Sequence, residues 1–168
     1  SEPISGSRPE YPVNVTFNPN SKDWTNGEFY VTVTVNDPEG KLSSFNVCTG
    51  NGATCDPKTG TNKETITGVN TASRLIATNG VNKVCIQAKD TLGRESGVYC
   101  SGEYKLDTVA PGKPTITRSD YNTFTYNATD GVGVTGYYVS TSATKPTSSS
   151  TWVTTKTYDI SAAATYYV

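Results

Sequence analysis

Apolar side chains recur at every second position along much of this chain. Phe29, Val31, Val33 and Val35 alternate with Tyr30, Thr32 and Thr34, a period that sets one face of a strand against a core and the other toward water. The same pattern predicts strands at Val13–Phe17, Leu42–Cys48, Glu64–Thr67, Arg74–Thr78, Lys83–Lys89 and Val98–Leu106. Turn signals separate them, notably Asp37-Pro-Glu-Gly40 and Asn79-Gly80. Every apolar run alternates or is broken by Gly or Pro, so no stretch reads as helix. Short strands at this spacing predict an all-β sandwich.

A joint follows. Lys105-Leu-Asp-Thr-Val-Ala-Pro-Gly-Lys-Pro-Thr-Ile116 runs from one strand into another, and Pro111 and Pro114 stiffen the passage and forbid helix. The expected domains are therefore 1–107 and 108–168. The second repeats the scheme of the first, with strands at Thr115–Thr117, Thr123–Asn127, Thr135–Ser140, Tyr158–Ile160 and Thr165–Val168. Its loop Asp130-Gly-Val-Gly133 matches Asp37–Gly40. Laid on the first repeat, it stops at the equivalent of about Ile86, so the counterpart of 87–106 is not represented. A sandwich lacking its last strand exposes an unpaired edge. The expectation is a C-terminally incomplete domain in a protein that continues past Val168, or one completed by a neighbour's strand, for which Ser1–Tyr11 is the candidate donor.

Composition narrows the class. The 168 residues carry 14 basic and 15 acidic side chains, a net charge of -1. No basic stripe follows a phosphate backbone, which argues against nucleic acid. Nothing approaches the ~18 apolar residues of a membrane span, so no membrane contact is expected within the chain. Histidine is absent, which removes Ser-His-Asp and Cys-His catalysis. The acidic residues fall on turns and linker rather than across a cleft, as glycoside hydrolysis would require. An enzyme is not expected.

Three strings carry a resemblance: Trp24-Thr-Asn-Gly-Glu-Phe-Tyr-Val-Thr-Val-Thr-Val35, Val84-Cys-Ile-Gln-Ala-Lys-Asp90 and Leu106-Asp-Thr-Val-Ala-Pro111. They resemble bacterial immunoglobulin-like repeats, as do Gly136-Tyr-Tyr-Val-Ser-Thr-Ser142 and Ala164-Thr-Tyr-Tyr-Val168. Such repeats stand in tandem on surface, pilus-like and phage-derived structural proteins of Gram-positive bacteria. The resemblance implies tandem immunoglobulin-like β-sandwiches and an extracellular setting. It is weak on function, since such repeats serve as stalks, spacers and adhesive tips alike.

Four cysteines, Cys48, Cys55, Cys85 and Cys100, all lie in the first domain. Their spacing is not that of a zinc site. Two disulfides are the economical reading and imply an oxidising compartment. Of the three possible connectivities, adjacency favours Cys48–Cys55 and Cys85–Cys100. Calcium is a weaker candidate. Asp37, Glu39 and Asp90, with Glu10, are expected at the end of the first sandwich where its first strand enters, and Asp107 and Asp130 at the corresponding end of the second. The competing view is that these residues simply favour turns. A Lys–Asn isopeptide bond finds no acid and Asn placed beside Lys83, Lys89 or Lys105.

Adjacent aromatics such as Tyr137-Tyr138 and Tyr166-Tyr167 should be half core and half surface. Trp24 and Tyr30 are further candidates for a stacking platform. Trp152 lies in the Ser- and Thr-rich stretch 145–155 and is a candidate ligand contact. The expected function is a non-enzymatic extracellular structural or adhesive module, a stalk, spacer or fibre subunit. Its partners would be neighbouring repeats or like subunits. The alternative is a module that recognises host glycan or protein.

Overall fold

The computed structural model describes residues 10–52 and 55–168. The proposed donor segment therefore lies, up to Pro9, outside the described residues. The chain divides into two compact units, the first ending at Thr108 and the second running over Val109–Val168. Both are all-β. No helix long and apolar enough to cross a membrane occurs among the described residues.

Unit 1 is built from β1 (Asn14–Asn18), β2 (Lys22–Thr25), β3 (Phe29–Asn36), β4 (Leu42–Asn51), β5 (Lys63–Thr67), β6 (Thr71–Ile76), β7 (Gly80–Asp90), β8 (Tyr99–Cys100) and β9 (Tyr104–Leu106). A small sheet has the order β1-β3-β6, and a larger one β2-β9-β7-β4-β5 with β8 beside β7. The period-two pattern drives their packing. Val31, Val33 and Val35 of β3 are buried, and they share one core with Phe45 and Val47 of β4 and Val84, Ile86 and Ala88 of β7. Each of these Val, Ile and Phe side chains stabilises the fold by about 1.5–3 kcal/mol on burial. Tyr104 and Leu106 close the core from β9, and the Tyr104 hydroxyl donates to the Pro19 carbonyl at 2.6 Å.

The turn from β3 to β4 shows how a polar loop is held. The Asp37 carboxylate accepts from the N–H groups of Glu39, Lys41 and Leu42, while Gly40 takes a φ of 65° that other residues rarely adopt.

Two departures from expectation have local causes. The last strand of unit 1, expected as Val98–Leu106, is broken into β8 and β9. Ser101 bonds Val84 with both its N–H and its hydroxyl, and Gly102 then turns to donate to the Asn20 carbonyl at 2.9 Å. A β-carbon at Gly102 would stand 2.9 Å from that of Ser21. β2 was not expected at all, because Lys22-Asp-Trp-Thr25 does not alternate and pairs in parallel with the distant β9.

Unit 2 carries β10 (Thr115–Arg118), β11 (Thr123–Asn127) and β12 (Thr157–Asp159) in the order β10-β11-β12. The expected strands Thr135–Ser140 and Thr165–Val168 are not regular strands. They survive as the isolated bridges Tyr137↔Val153 and Ser140↔Tyr167. Gly136, which packs against the Val153 carbonyl, contributes no side chain to the strand interior. The small core is aromatic: Phe124, Tyr126 and Tyr137 are buried, with Tyr158 and Tyr166 against them. The Tyr126 and Tyr137 rings meet edge-on at 4.9 Å, and the Tyr137 hydroxyl accepts from the Ala128 N–H at 3.1 Å. Tyr138 and Tyr167 are more exposed than their neighbours, so each tyrosine pair divides between interior and surface.

Candidate functional site

Register builds the candidate site on the outer face of the larger sheet. Phe45 and Val47 point into the core, so alternation turns Ser44, Asn46 and Cys48 outward. On β7 the same logic turns Cys85, Gln87 and Lys89 outward. Cys48 stands opposite Cys85, and Cys85 opposite Cys100, so three half-cystines form a row across β4, β7 and β8. The bonds run Cys48–Cys55, with an S–S distance of 2.04 Å, and Cys85–Cys100, at 2.02 Å. Each ties a loop to the outer sheet face.

The first loop joins β4 to β5 and folds back over the sheet. Asp56 organises it, accepting from the Lys58 N–H at 2.8 Å and from the Thr59 hydroxyl. The Thr59 hydroxyl and that N–H hold the Asp56 carboxyl below its usual range. The Gly60 N–H closes the turn on the Asp56 carbonyl at 3.0 Å. Asn46 fastens the loop from below, donating to the Pro57 carbonyl at 3.0 Å and accepting from the Thr65 hydroxyl at 2.7 Å.

The second loop leaves β7 and returns as β8. Buried Gln87 donates to the Ser96 carbonyl at 3.0 Å and to Glu95 at 3.4 Å. Ser96 in turn bonds Ala88 with both its N–H and its hydroxyl.

Between these walls lies a groove of about 570 Å³. Ser44, Asn46, Thr59, Thr65 and Gln87 supply amides and hydroxyls, and Lys58, Lys63, Lys89 and Glu95 supply charge. Three lysines and one glutamate line it, although the whole chain is slightly acidic. The Lys63 ammonium donates to the Lys58 carbonyl, and Lys58 helps to hold the nearby Asp56 carboxyl down. None of the three lysines closes an ion pair among the described residues. Apart from Lys89, weighed for a covalent cross-link, the sequence reading passed over these side chains. The available signal was the run of polar outward positions beside the half-cystines on β4 and β7.

The acidic residues weighed for calcium divide into two groups. Glu39 and Asp90 converge, but on a cation the chain itself supplies, while Asp37 is taken up by the backbone of its own turn. The Arg94 Nε donates to Asp90 at 2.6 Å and its terminal nitrogen to Glu39, while its guanidinium lies 5.5 Å from the Tyr11 ring centre. Buried Asp90 also accepts from the N–H groups of Leu92 and Arg94. Burial alone would raise its carboxyl, but Arg94 outweighs that and holds it below the ordinary range. Asp37 behaves alike: burial opposes its charge, and the nearby Tyr11 hydroxyl together with the backbone N–H groups of Glu39, Lys41 and Leu42 prevails. The Tyr11 hydroxyl makes no well-formed hydrogen bond. Burial, and then the neighbouring carboxylates, push its own ionisation far upward. Asp107 donates its N–H to the Thr25 carbonyl at 2.9 Å within unit 1, whereas Asp130 in unit 2 caps its own turn through the Val132 and Gly133 N–H groups. Among the described residues no group of three or more His, Cys, Asp or Glu could hold a metal ion.

Trp152 lies in unit 2, where it lines a cleft of about 410 Å³ with Tyr138, Pro146 and Tyr167. Its ring and that of Tyr138 are 6.2 Å apart and tilted. Comparison with protein-family models, curated proteins and solved structures gives no match.

Proposed function

We propose that this chain is a non-enzymatic extracellular adhesive module made of two immunoglobulin-like sandwiches in tandem. The observation that carries this reading is where the disulfides lie. Both sit on the outward face of the larger sheet, outside a core already filled by Val, Ile, Phe and Tyr side chains. Their effect is to fix two surface loops, which suits a recognition face in an oxidising setting. The tandem plan is supported by strand order: β1-β3-β6 in unit 1 has its counterpart in β10-β11-β12. The Tyr137–Ser140 segment, bridged to Val153 and to Tyr167, supports the same reading, since β4 likewise pairs on both sides, with β5 and β7. The absence of histidine from the sequence supports a non-catalytic role.

The test is to titrate fluorescently labelled, oxidised chain onto immobilised extracellular coats, including mucin, cell-wall polysaccharide and matrix protein. An adhesive module gives saturable binding to at least one coat, weakened by reduction. Non-saturable background on every coat would reduce the chain to a bare spacer and overturn the reading.

A further inference from the structure

We infer that the groove between the two disulfide-tied loops of unit 1 binds an acidic glycan, a sugar chain bearing carboxylate or sulfate groups. This inference rests on the adhesive reading and assigns it a site and a ligand class. At about 570 Å³ the groove falls within the ~300–1,000 Å³ range of ligand pockets.

Its chemistry is selective. Beside the hydrogen bonds that fix them in the fold, Asn46, Thr65 and Gln87 keep oxygen lone pairs of the kind that accept from sugar hydroxyls. Lys58, Lys63 and Lys89 give the groove an excess of positive charge over Glu95, which calls for anionic groups on the ligand. No aromatic ring lines it, so a neutral sugar would find no face to stack on.

A peptide fits less well. The lining side chains stand up from the face of β4, β5 and β7, so a peptide seated in the groove meets side chains rather than the backbone ladder of an edge. Its lining is almost wholly polar and offers no apolar pocket for an anchoring side chain.

The walls are also fixed in advance. Cys48–Cys55 and the Asn46–Pro57 hydrogen bond hold one, and Cys85–Cys100 and the Gln87–Ser96 hydrogen bond hold the other. A site that needs no ordering on contact loses less entropy when it binds.

The oxidised full chain should be titrated calorimetrically with hyaluronan, which carries carboxylates alone, with dextran sulfate, which carries sulfates alone, and with neutral dextran. Binding to hyaluronan or dextran sulfate, none to dextran, and weakening with added salt are the expected results. Which of the two polymers binds identifies the anionic group. The triple variant Lys58→Gln, Lys63→Gln, Lys89→Gln should lose about tenfold or more in affinity, and Thr65→Val should lose affinity without changing net charge. A control with the same charge change elsewhere, Lys41→Gln, Lys105→Gln, Lys113→Gln, should bind as the parent does. Circular dichroism and non-reducing peptide maps verify that each variant is folded.

Equal losses in both triple variants, or tighter binding to poly-glutamate than to either acidic polysaccharide, would overturn the assignment. Saturable adhesion to coats without binding to either acidic polymer removes the glycan but leaves the adhesive role. No adhesion of any kind removes both.

Discussion

Cys48 and Cys85 stand directly opposite each other on β4 and β7, yet neither bonds to the other. Cys48 reaches outward along its own strand to Cys55, and Cys85 crosses to Cys100 on β8. Non-reducing peptide mapping should therefore recover Cys48 with Cys55 and Cys85 with Cys100. A Cys48–Cys85 peptide would refute this pairing, and the register makes that alternative a real competitor.

Removing either bridge should weaken the fold without abolishing it. The loops close over 7 and 15 residues, so each double Cys→Ala variant should lose about 2–3 kcal/mol. Urea unfolding measures this, and far-UV dichroism of the native baseline should stay unchanged because the core lies on the other face.

Arg94 is the counter-ion of a buried carboxylate. Arg94→Met leaves Asp90 without its guanidinium partner and should lower the unfolding midpoint of unit 1. In a Trp152→Phe background, Trp24 fluorescence reports unit 1 alone. Arg94→Lys should recover part of the loss, since an ammonium restores charge but not the fork between Asp90 and Glu39. Added calcium should not substitute for Arg94 in the wild-type chain, and a calcium-dependent midpoint would contradict the arginine-centred arrangement.

Acid should destabilise the protein only at low pH. Asp37, Asp56, Asp90 and Asp130 all ionise more readily in the fold than in an ordinary carboxyl group. A carboxyl whose pKa is depressed by folding contributes stability above its unfolded value, near ~3.9, and loses it as pH falls through the folded value. With no histidine in the sequence, the thermal midpoint should be level from neutral pH to about pH 5 and drop below about pH 4. A fall between pH 7 and pH 5 would show that other groups control stability.

Tyr104→Phe tests a single polar contact in the core. The hydroxyl is lost and the Pro19 carbonyl loses its donor, so stability should fall by about 1–2 kcal/mol. Tyr30→Phe on the exposed face of β3 should change stability by less than about 0.5 kcal/mol in the same denaturation assay.

What could be read from the chain followed from local patterns. Strand β3 was legible to the residue because Phe29–Asn36 alternates without interruption, and β11 because Thr123–Asn127 does the same. The Asp37 and Asp130 turns were legible from Asp and Gly at turn positions. What escaped depended on partners distant in sequence. β2 exists because β9 lies beside it, and the break at Ser101-Gly102 exists because Asn20 and Ser21 approach there. The groove escaped for the same reason. Lys58, Lys63, Lys89 and Gln87 share a surface only once β4, β5 and β7 are in register, and no short motif records that. The carboxylates were read as calcium ligands, whereas Glu39 and Asp90 pair with Arg94, which lies in another loop and carried no signal linking it to Glu39.

The disulfides also have a consequence under mechanical load. A domain held in a line between its two ends unravels by releasing hidden chain length, and each bridge withholds the stretch it encloses. With about 3.4 Å of extended backbone per residue, the enclosed separations of 7 and 15 residues keep about 75 Å from being drawn out. The longer stretch holds the Gln87, Lys89 and Glu95 wall of the groove, so a tether stretched far enough to unfold the sandwich would still keep that wall closed between β7 and β8.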